Sequence, residues 1–201
     1  MKIVIVKYNA GNTQSVLNAF ERLGYDARLS DDPAEISGAD RVIFPGVGEA
    51  SSAMAYLRQR GLDSVIRQLT QPVLGICLGM QLLGDFSEEN ATECLGVIPG
   101  NVGKIPAATA SGERLKVPHT GWNTVETNGH PLFRGIPGGS FFYFVHSYAM
   151  APGGHTIGRT EYGRPFASAI HRQNFYGVQF HPEKSAGVGE QLLKNFINII
   201  Q

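Results

Sequence analysis

Cys77, His181 and Glu183 are the residues of this 201-residue chain whose types and settings point to a reaction. Cys77 sits in Gly75-Ile76-Cys77-Leu78-Gly79, directly after the apolar run Pro72-Val73-Leu74. A G-x-C-x-G segment between a buried strand and a helix is the thiol version of the nucleophile elbow. Its turn is so sharp that the residues two before and two after the nucleophile must be small. A thiol is nucleophilic near neutral pH as its thiolate, a form that a helix N-terminus and a neighbouring imidazole both favour. Far downstream, Phe175-Tyr176-Gly177-Val178-Gln179-Phe180-His181-Pro182-Glu183 predicts a strand ending in a His and a Glu two residues apart. Pro182 breaks the pleat between them and lets the carboxylate approach the ring. Thiol, imidazole and carboxylate make a complete acyl-transfer triad. Cys94 has no flanking glycines and reads as an ordinary buried cysteine, the commonest fate of a free thiol.

A tetrahedral intermediate at Cys77 needs N–H donors aimed at its oxygen. Leu78, the residue after the nucleophile, offers one, and Val47 and Gly48 of the Pro45-Gly46-Val47-Gly48 loop offer another. An ordinary strand-to-helix turn explains the same glycines, and the sequence alone does not separate the two readings. No Walker Lys-Ser/Thr follows, which weighs against phosphate binding. No His/Cys/Asp/Glu cluster has metal-ligand spacing, so neither metal nor cofactor is expected.

The elements that must position these groups alternate in the first half. Strands are expected at Lys2–Val6, Tyr25–Leu29, Arg41–Phe44 and Val73–Ile76. Helices are expected over Asn12–Leu23, Ala50–Arg60 and from Leu78 to Leu83. That order predicts an α/β fold with a mostly parallel central sheet and helices on both faces. From Gly96 the texture shifts to short antiparallel strands at Gly96–Gly100, Leu115–Val117, Phe141–Val145, Phe166–His171 and Phe175–Phe180. A closing amphipathic helix spans Gly187–Ile200. In open α/β sheets, sites lie beyond the carboxyl ends of strands, where Pro45–Gly48, Cys77 and His181–Glu183 are all expected.

Bulk composition narrows the class. The length suits a single domain over residues 1–201. Seventeen basic and 17 acidic residues cancel and form no basic run, which argues against nucleic-acid and membrane partners. No span reaches transmembrane length, Met1–Val6 does not read as a signal peptide, and two cysteines make no disulfide framework. A cytoplasmic setting is the expectation.

Taken together, the Cys77–Gln81 elbow, the Pro45–Gly48 loop and the Gln179–Glu183 terminus resemble the class I (triad) glutamine amidotransferases. Lys116–Asn123, Phe142–Tyr148 and Pro182–Ser185 are similar to that family's histidine-biosynthesis branch, the glutaminase subunits of imidazole glycerol phosphate synthases. The resemblance runs from Lys2 to the last helix; Thr120 departs from the usual Met. It implies hydrolysis of L-glutamine through a Cys77 thioester, with His181 moving the proton and Glu183 orienting it. It further implies that Gly46, Gly48, Gln81, Glu89, Ser147 and Tyr148 hold glutamine, although Ser87–Asn90 reads equally as a solvated acidic loop. The implied partner is a (β/α)8-barrel cyclase subunit that receives the ammonia in a heterodimer. Pro118, His119, Trp122, Asn123, Tyr143 and Lys184 are implied to face it. Trp122, the single tryptophan, is expected in a strand-edge loop, where it either anchors the partner or plugs the core. Two alternatives are weaker. An amidotransferase serving anthranilate or para-aminobenzoate synthesis does not match Lys116–Asn123, and a regulatory scaffold has no need of an intact triad.

Overall fold

The computed structural model describes residues 1–9 and 13–199. Strand β1 (Ile3–Val6) is apolar at every position because both of its sides are covered. Ile3 and Ile5 join one core cluster, and Val4 and Val6 join the other, as period-two alternation requires of a doubly buried strand. The first half continues with α1 (Thr13–Arg22), β2 (Ala27–Ser30), α2 (Pro33–Ser37), β3 (Arg41–Gly46), α3 (Ala50–Gln59), α4 (Leu62–Arg67), β4 (Val73–Cys77) and α5 (Leu78–Leu82). The second half carries β5 (Phe86–Ser87), β6 (Thr92–Glu93), β7 (Asn101–Lys104), β8 (His119–Thr127), β9 (Ser140–His146) and β10 (Tyr148–Met150). It closes with β11 (Thr156–Tyr162), β12 (Arg164–Arg172), β13 (Phe175–Val178) and α6 (Ala186–Asn198).

Nine strands form one sheet in the order β2-β1-β3-β4-β13-β12-β11-β8-β9. The first five run parallel, and every pairing beyond β13 is antiparallel. Helices α1 and α6 cover one face through Phe20, Leu192 and Phe196, packed with Ile5, Ile43 and Ile76. Helices α2, α3 and α4 cover the other through Ile36, Met54, Leu57 and Ile66, packed with Val42 and Phe44. The expected α/β sheet with helices on both faces is thus observed. Its antiparallel half holds strands of up to nine residues, β8 and β12. A second sheet, β10-β7-β5-β6, stands beside it.

Several sequence expectations need correction. Gly96–Gly100 is a loop: the Val97 and Ile98 N–H groups donate to the Leu83 carbonyl, winding the segment around the end of α5. Gly96 and Gly100 take φ of +65° and +153° there, which a strand does not. Leu115–Val117 forms no strand either, since pairing nearby is limited to an Ala108–Arg114 bridge and the strand starts at His119, after Pro118. Trp122 consequently sits within β8, not in a loop. Asn12 and Ile200, expected in helices, lie outside the described residues.

Candidate active site

Cys77 ends β4 and starts α5 with φ 53° and ψ −110°, a conformation that a residue with a Cβ rarely adopts. The two elbow glycines are required by packing. A Cβ on Gly75 would lie 2.8 Å from the Met80 nitrogen, and one on Gly79 would lie 1.7 Å from the Phe44 carbonyl oxygen. The helix behind the thiol has five residues, so the macrodipole expected to favour a thiolate is that of little more than one turn.

The imidazole arrives on the neighbouring strand. β13 pairs parallel with β4, Val178 opposite Ile76, and runs on through Gln179 and Phe180 to His181. The His181 backbone is clamped on both sides: its N–H donates to the Tyr143 carbonyl at 2.9 Å, and its carbonyl accepts from Ser185 Oγ at 2.6 Å. A 3-10 turn over Pro182–Lys184 then brings Glu183 back, with its Oε1 2.7 Å from His181 Nδ1. Both side chains are almost fully buried. His181 Nε2 is buried and completes no hydrogen bond, and Cys77 acts on the ring by raising its pKa. A catalytic hydrogen bond left open at this nitrogen is ordinary before substrate binds. Burial pulls the His181 pKa down, but Cys77 and Glu183 together outweigh it and raise the value to about 10. At neutral pH the ring therefore carries its proton. Cys94, by contrast, is pushed up to about 11, chiefly by burial.

A chain of amides and imidazoles, which sequence reading does not reveal, reaches the thiol from behind. Gln179 Nε2 donates to Cys77 Sγ at 3.6 Å, while Gln179 Oε1 accepts from Gln81 Nε2 at 3.0 Å. Gln81 Nε2 also donates to the Tyr148 carbonyl at 2.9 Å. That carbonyl accepts from His146 Nδ1, so His146 Nε2 accepts from His119 Nδ1 at 2.9 Å, and His119 Nε2 accepts from Asn123 Nδ2. Burial lowers the pKa of His119 to about 4 and of His146 to about 3, keeping both rings neutral, as the chain requires.

In front of the thiol lies a cavity of about 350 Å³ lined by Val47, Gly48, Cys77, Leu78, Gln81, Glu89, Pro118, Val145, His146, Ser147 and Tyr148. That volume suits a small-molecule ligand. The expected oxyanion donors Val47, Gly48 and Leu78 line it, as do Gln81, Glu89, Ser147 and Tyr148. Gly46 does not: it lies beneath the floor in β3, where a Cβ would strike the Tyr8 hydroxyl at 2.2 Å. The Glu89 carboxylate accepts from the Ala50 N–H at 2.8 Å, closing the start of α3. A larger cavity of about 720 Å³ opens near Thr70, His130, Arg134 and Asn174, beside the amino ends of β4 and β13. The triad sits at the carboxyl ends of those strands, so the smaller cavity is the one that matters for chemistry.

The residues expected at a partner surface divide along β8. Side chains alternate across a strand, and His119 points inward, stacked on Phe144 and Tyr162 and only 3% exposed. Its placement on the partner face is therefore corrected. Asn123 is half-buried and donates to the Glu161 carbonyl. Trp122 points outward, 52% exposed, edge-on to Tyr143, over which Lys184 Nζ lies at 6.0 Å. The core-plug reading of Trp122 falls with that exposure. Phe141, 57% exposed and two residues from Tyr143 on β9, shares this face and was not singled out from sequence. Its signal, an aromatic doublet at the start of an alternating strand, was present.

A Cys-His-Glu constellation beyond the carboxyl ends of adjacent parallel strands, facing a small cavity, is an arrangement suited to acyl transfer. The chain belongs to the Glutamine amidotransferase class-I family, whose sequence profile matches residues 4–200. It is 48% identical over 199 residues to the imidazole glycerol phosphate synthase subunit HisH of Bacteroides fragilis strain YCH46, covering 99% of this chain and 100% of that one. Against the same subunit of Vibrio cholerae it is 46% identical over 204 residues, with 98% of each chain covered. Among solved structures, a glutamine amidotransferase superposes with a TM-score of 0.75 at 18% identity, covering 98% of this chain and 97% of the other. The Trypanosoma brucei CTPS glutaminase domain with bound acivicin gives 0.65 at 17% identity, covering 100% and 95%. At those identities the structures speak to the fold. Among the described residues, no helix is long and apolar enough to cross a membrane.

Proposed function

We propose that this chain is the glutaminase subunit of an imidazole glycerol phosphate synthase, acting as one amidotransferase domain in the cytoplasm. It hydrolyses L-glutamine and passes ammonia to a (β/α)8-barrel cyclase subunit that makes imidazole glycerol phosphate and AICAR in histidine biosynthesis. The observation that carries this reading is the near-complete match to HisH subunits. The triad geometry supports it.

Cys77 Sγ adds to the side-chain amide carbon of glutamine, and the developing oxyanion takes N–H bonds from Leu78 and the Val47–Gly48 loop. The C–N bond breaks as His181 Nε2 gives its proton to the departing nitrogen, releasing ammonia and leaving a γ-glutamyl thioester. Water then attacks the thioester carbon and passes a proton to His181. The C–S bond breaks, glutamate leaves, and thiolate and imidazolium are restored. Glu183 accepts from Nδ1–H throughout, fixing the tautomer that presents Nε2 to the reaction. Gln81, Glu89, Ser147 and Tyr148 hold the substrate, and Trp122, Tyr143 and Lys184 face the cyclase, with Pro118 and Asn123 at the margin.

The test is glutamate release from L-glutamine, alone and with a histidine-pathway cyclase plus its ribonucleotide, N'-[(5-phosphoribulosyl)formimino]-5-aminoimidazole-4-carboxamide ribonucleotide. Strong stimulation is expected. Cys77→Ala is expected to lose glutamine hydrolysis while the complex keeps ammonia-dependent synthesis. Activity unchanged by the cyclase would assign the protein to another synthase.

A further inference from the structure

We propose that Gln179 is a positioning residue for the nucleophile, holding Cys77 Sγ and its negative charge through an N–H bond whose direction is locked by Gln81. The inference rests on the reading of Cys77 as the nucleophile.

An amide side chain can present either its oxygen or its nitrogen, and here the network decides. The Tyr148 carbonyl can only accept, so the Gln81 group facing it is the NH2. That same NH2 faces Gln179, so Gln179 must turn its oxygen toward Gln81 and its NH2 toward Cys77. Gln179 is 0% exposed, which leaves it no solvent partner and makes the flipped arrangement costly. A donor fixed in this way favours the anionic sulfur over the neutral one. The five-residue α5 supplies little of the stabilisation that a longer helix would give. The Val145 carbonyl, 3.7 Å from Sγ, can only accept, and it orients the neutral thiol instead. The titratable groups around the sulfur are Tyr8 after β1, His181 with Glu183 after β13, and, lining the same cavity, Glu89, His146 and Tyr148. Of the two described groups at hydrogen-bond distance from Sγ, the Val145 carbonyl and the Gln179 amide, Gln179 is the one that donates.

The experiment is iodoacetamide alkylation of the full chain across pH 5–10, with Cys77 and Cys94 followed separately by mass spectrometry. In the unmodified protein Cys77 should react far faster than Cys94 near neutral pH, and equal rates would remove the nucleophile reading itself. Gln179→Met keeps the volume and removes the donor. It should move the half-maximal pH of Cys77 alkylation upward and slow the reaction at pH 7 about tenfold, the usual effect of losing a charge-assisted bond. In the same variant kcat for glutamine should fall; KM should rise as well, because the substitution also removes the Oε1 partner of the substrate-holding Gln81, so the discriminating readout is the alkylation profile, taken without glutamine. An unchanged alkylation profile with reduced kcat would make Gln179 a packing residue and overturn the inference while leaving Cys77 as nucleophile. A measurement independent of folding uses the unmodified protein: the Gln179 side-chain amide proton should shift in NMR as Cys77 titrates. An amide resonance that ignores that titration overturns the inference equally.

Discussion

Replacing Cys77 with glycine should make the protein more stable than replacing it with alanine, the reverse of the usual order. Either substitution removes the buried sulfur and its contacts, so the comparison isolates the backbone. Alanine keeps a Cβ at φ 53° and ψ −110°, and a non-glycine residue in such a region carries about 2 kcal/mol of strain. Glycine relieves that strain but loses about 0.5–1 kcal/mol through the greater freedom of its unfolded chain. The balance favours glycine by about 1 kcal/mol, which in a chain of this size is about 2–4 °C in Tm. Differential scanning calorimetry of the two purified variants reads this directly, and neither should hydrolyse glutamine. A glycine variant less stable than the alanine variant would show that the elbow is relaxed, and the argument from backbone strain would fail.

Gly79→Ala places a Cβ 1.7 Å from a backbone oxygen of β3, so a loss above about 3 kcal/mol is expected, visible as poor soluble yield or a collapsed Tm. Trp122→Ala removes an exposed ring and should leave stability within about 0.5 kcal/mol, while weakening cyclase binding about tenfold or more by calorimetric titration. Lowering the pH should destabilise the fold from about 6.5 toward 4, because His119 is held neutral in the native state down to about 4, and its unfolded counterpart protonates first. His146 acts in the same direction, and His146→Gln should flatten the plot of Tm against pH in that window. His181 works oppositely: its contribution is complete below about 6.5 and disappears as pH rises through about 10.

The parts of the site legible in sequence were those encoded within a few neighbouring residues. Gly75 and Gly79 announce the elbow because backbone crowding forbids anything larger there. His181 and Glu183 announce themselves because a 3-10 turn joins them. The contacts of Gln179 were hidden because its partners, Cys77 and Gln81, lie 102 and 98 residues away in the chain. His119 was misplaced for a related reason: a polar residue beside Trp122 reads as surface until its imidazole partner, 27 residues on, is known. The Gly96–Gly100 loop misled because Val97 and Ile98 have strand propensity, while the hydrogen bonds that fold them over α5 belong to Leu83. Local preference yields to tertiary pairing in such segments.

Cys77 ends, and His181 follows, two strands that are hydrogen-bonded side by side, Val178 opposite Ile76. Their separation is therefore tied to the spacing of hydrogen-bonded strands in the central sheet. Insertions, new partners or altered surface loops can leave that distance untouched. What such changes can reach is the loop-borne part of the cavity lining: Val47 and Gly48 after β3, and Ser147 between β9 and β10. Changes in those loops can thus reshape the cavity while the placement of Cys77 beside His181 stays constant.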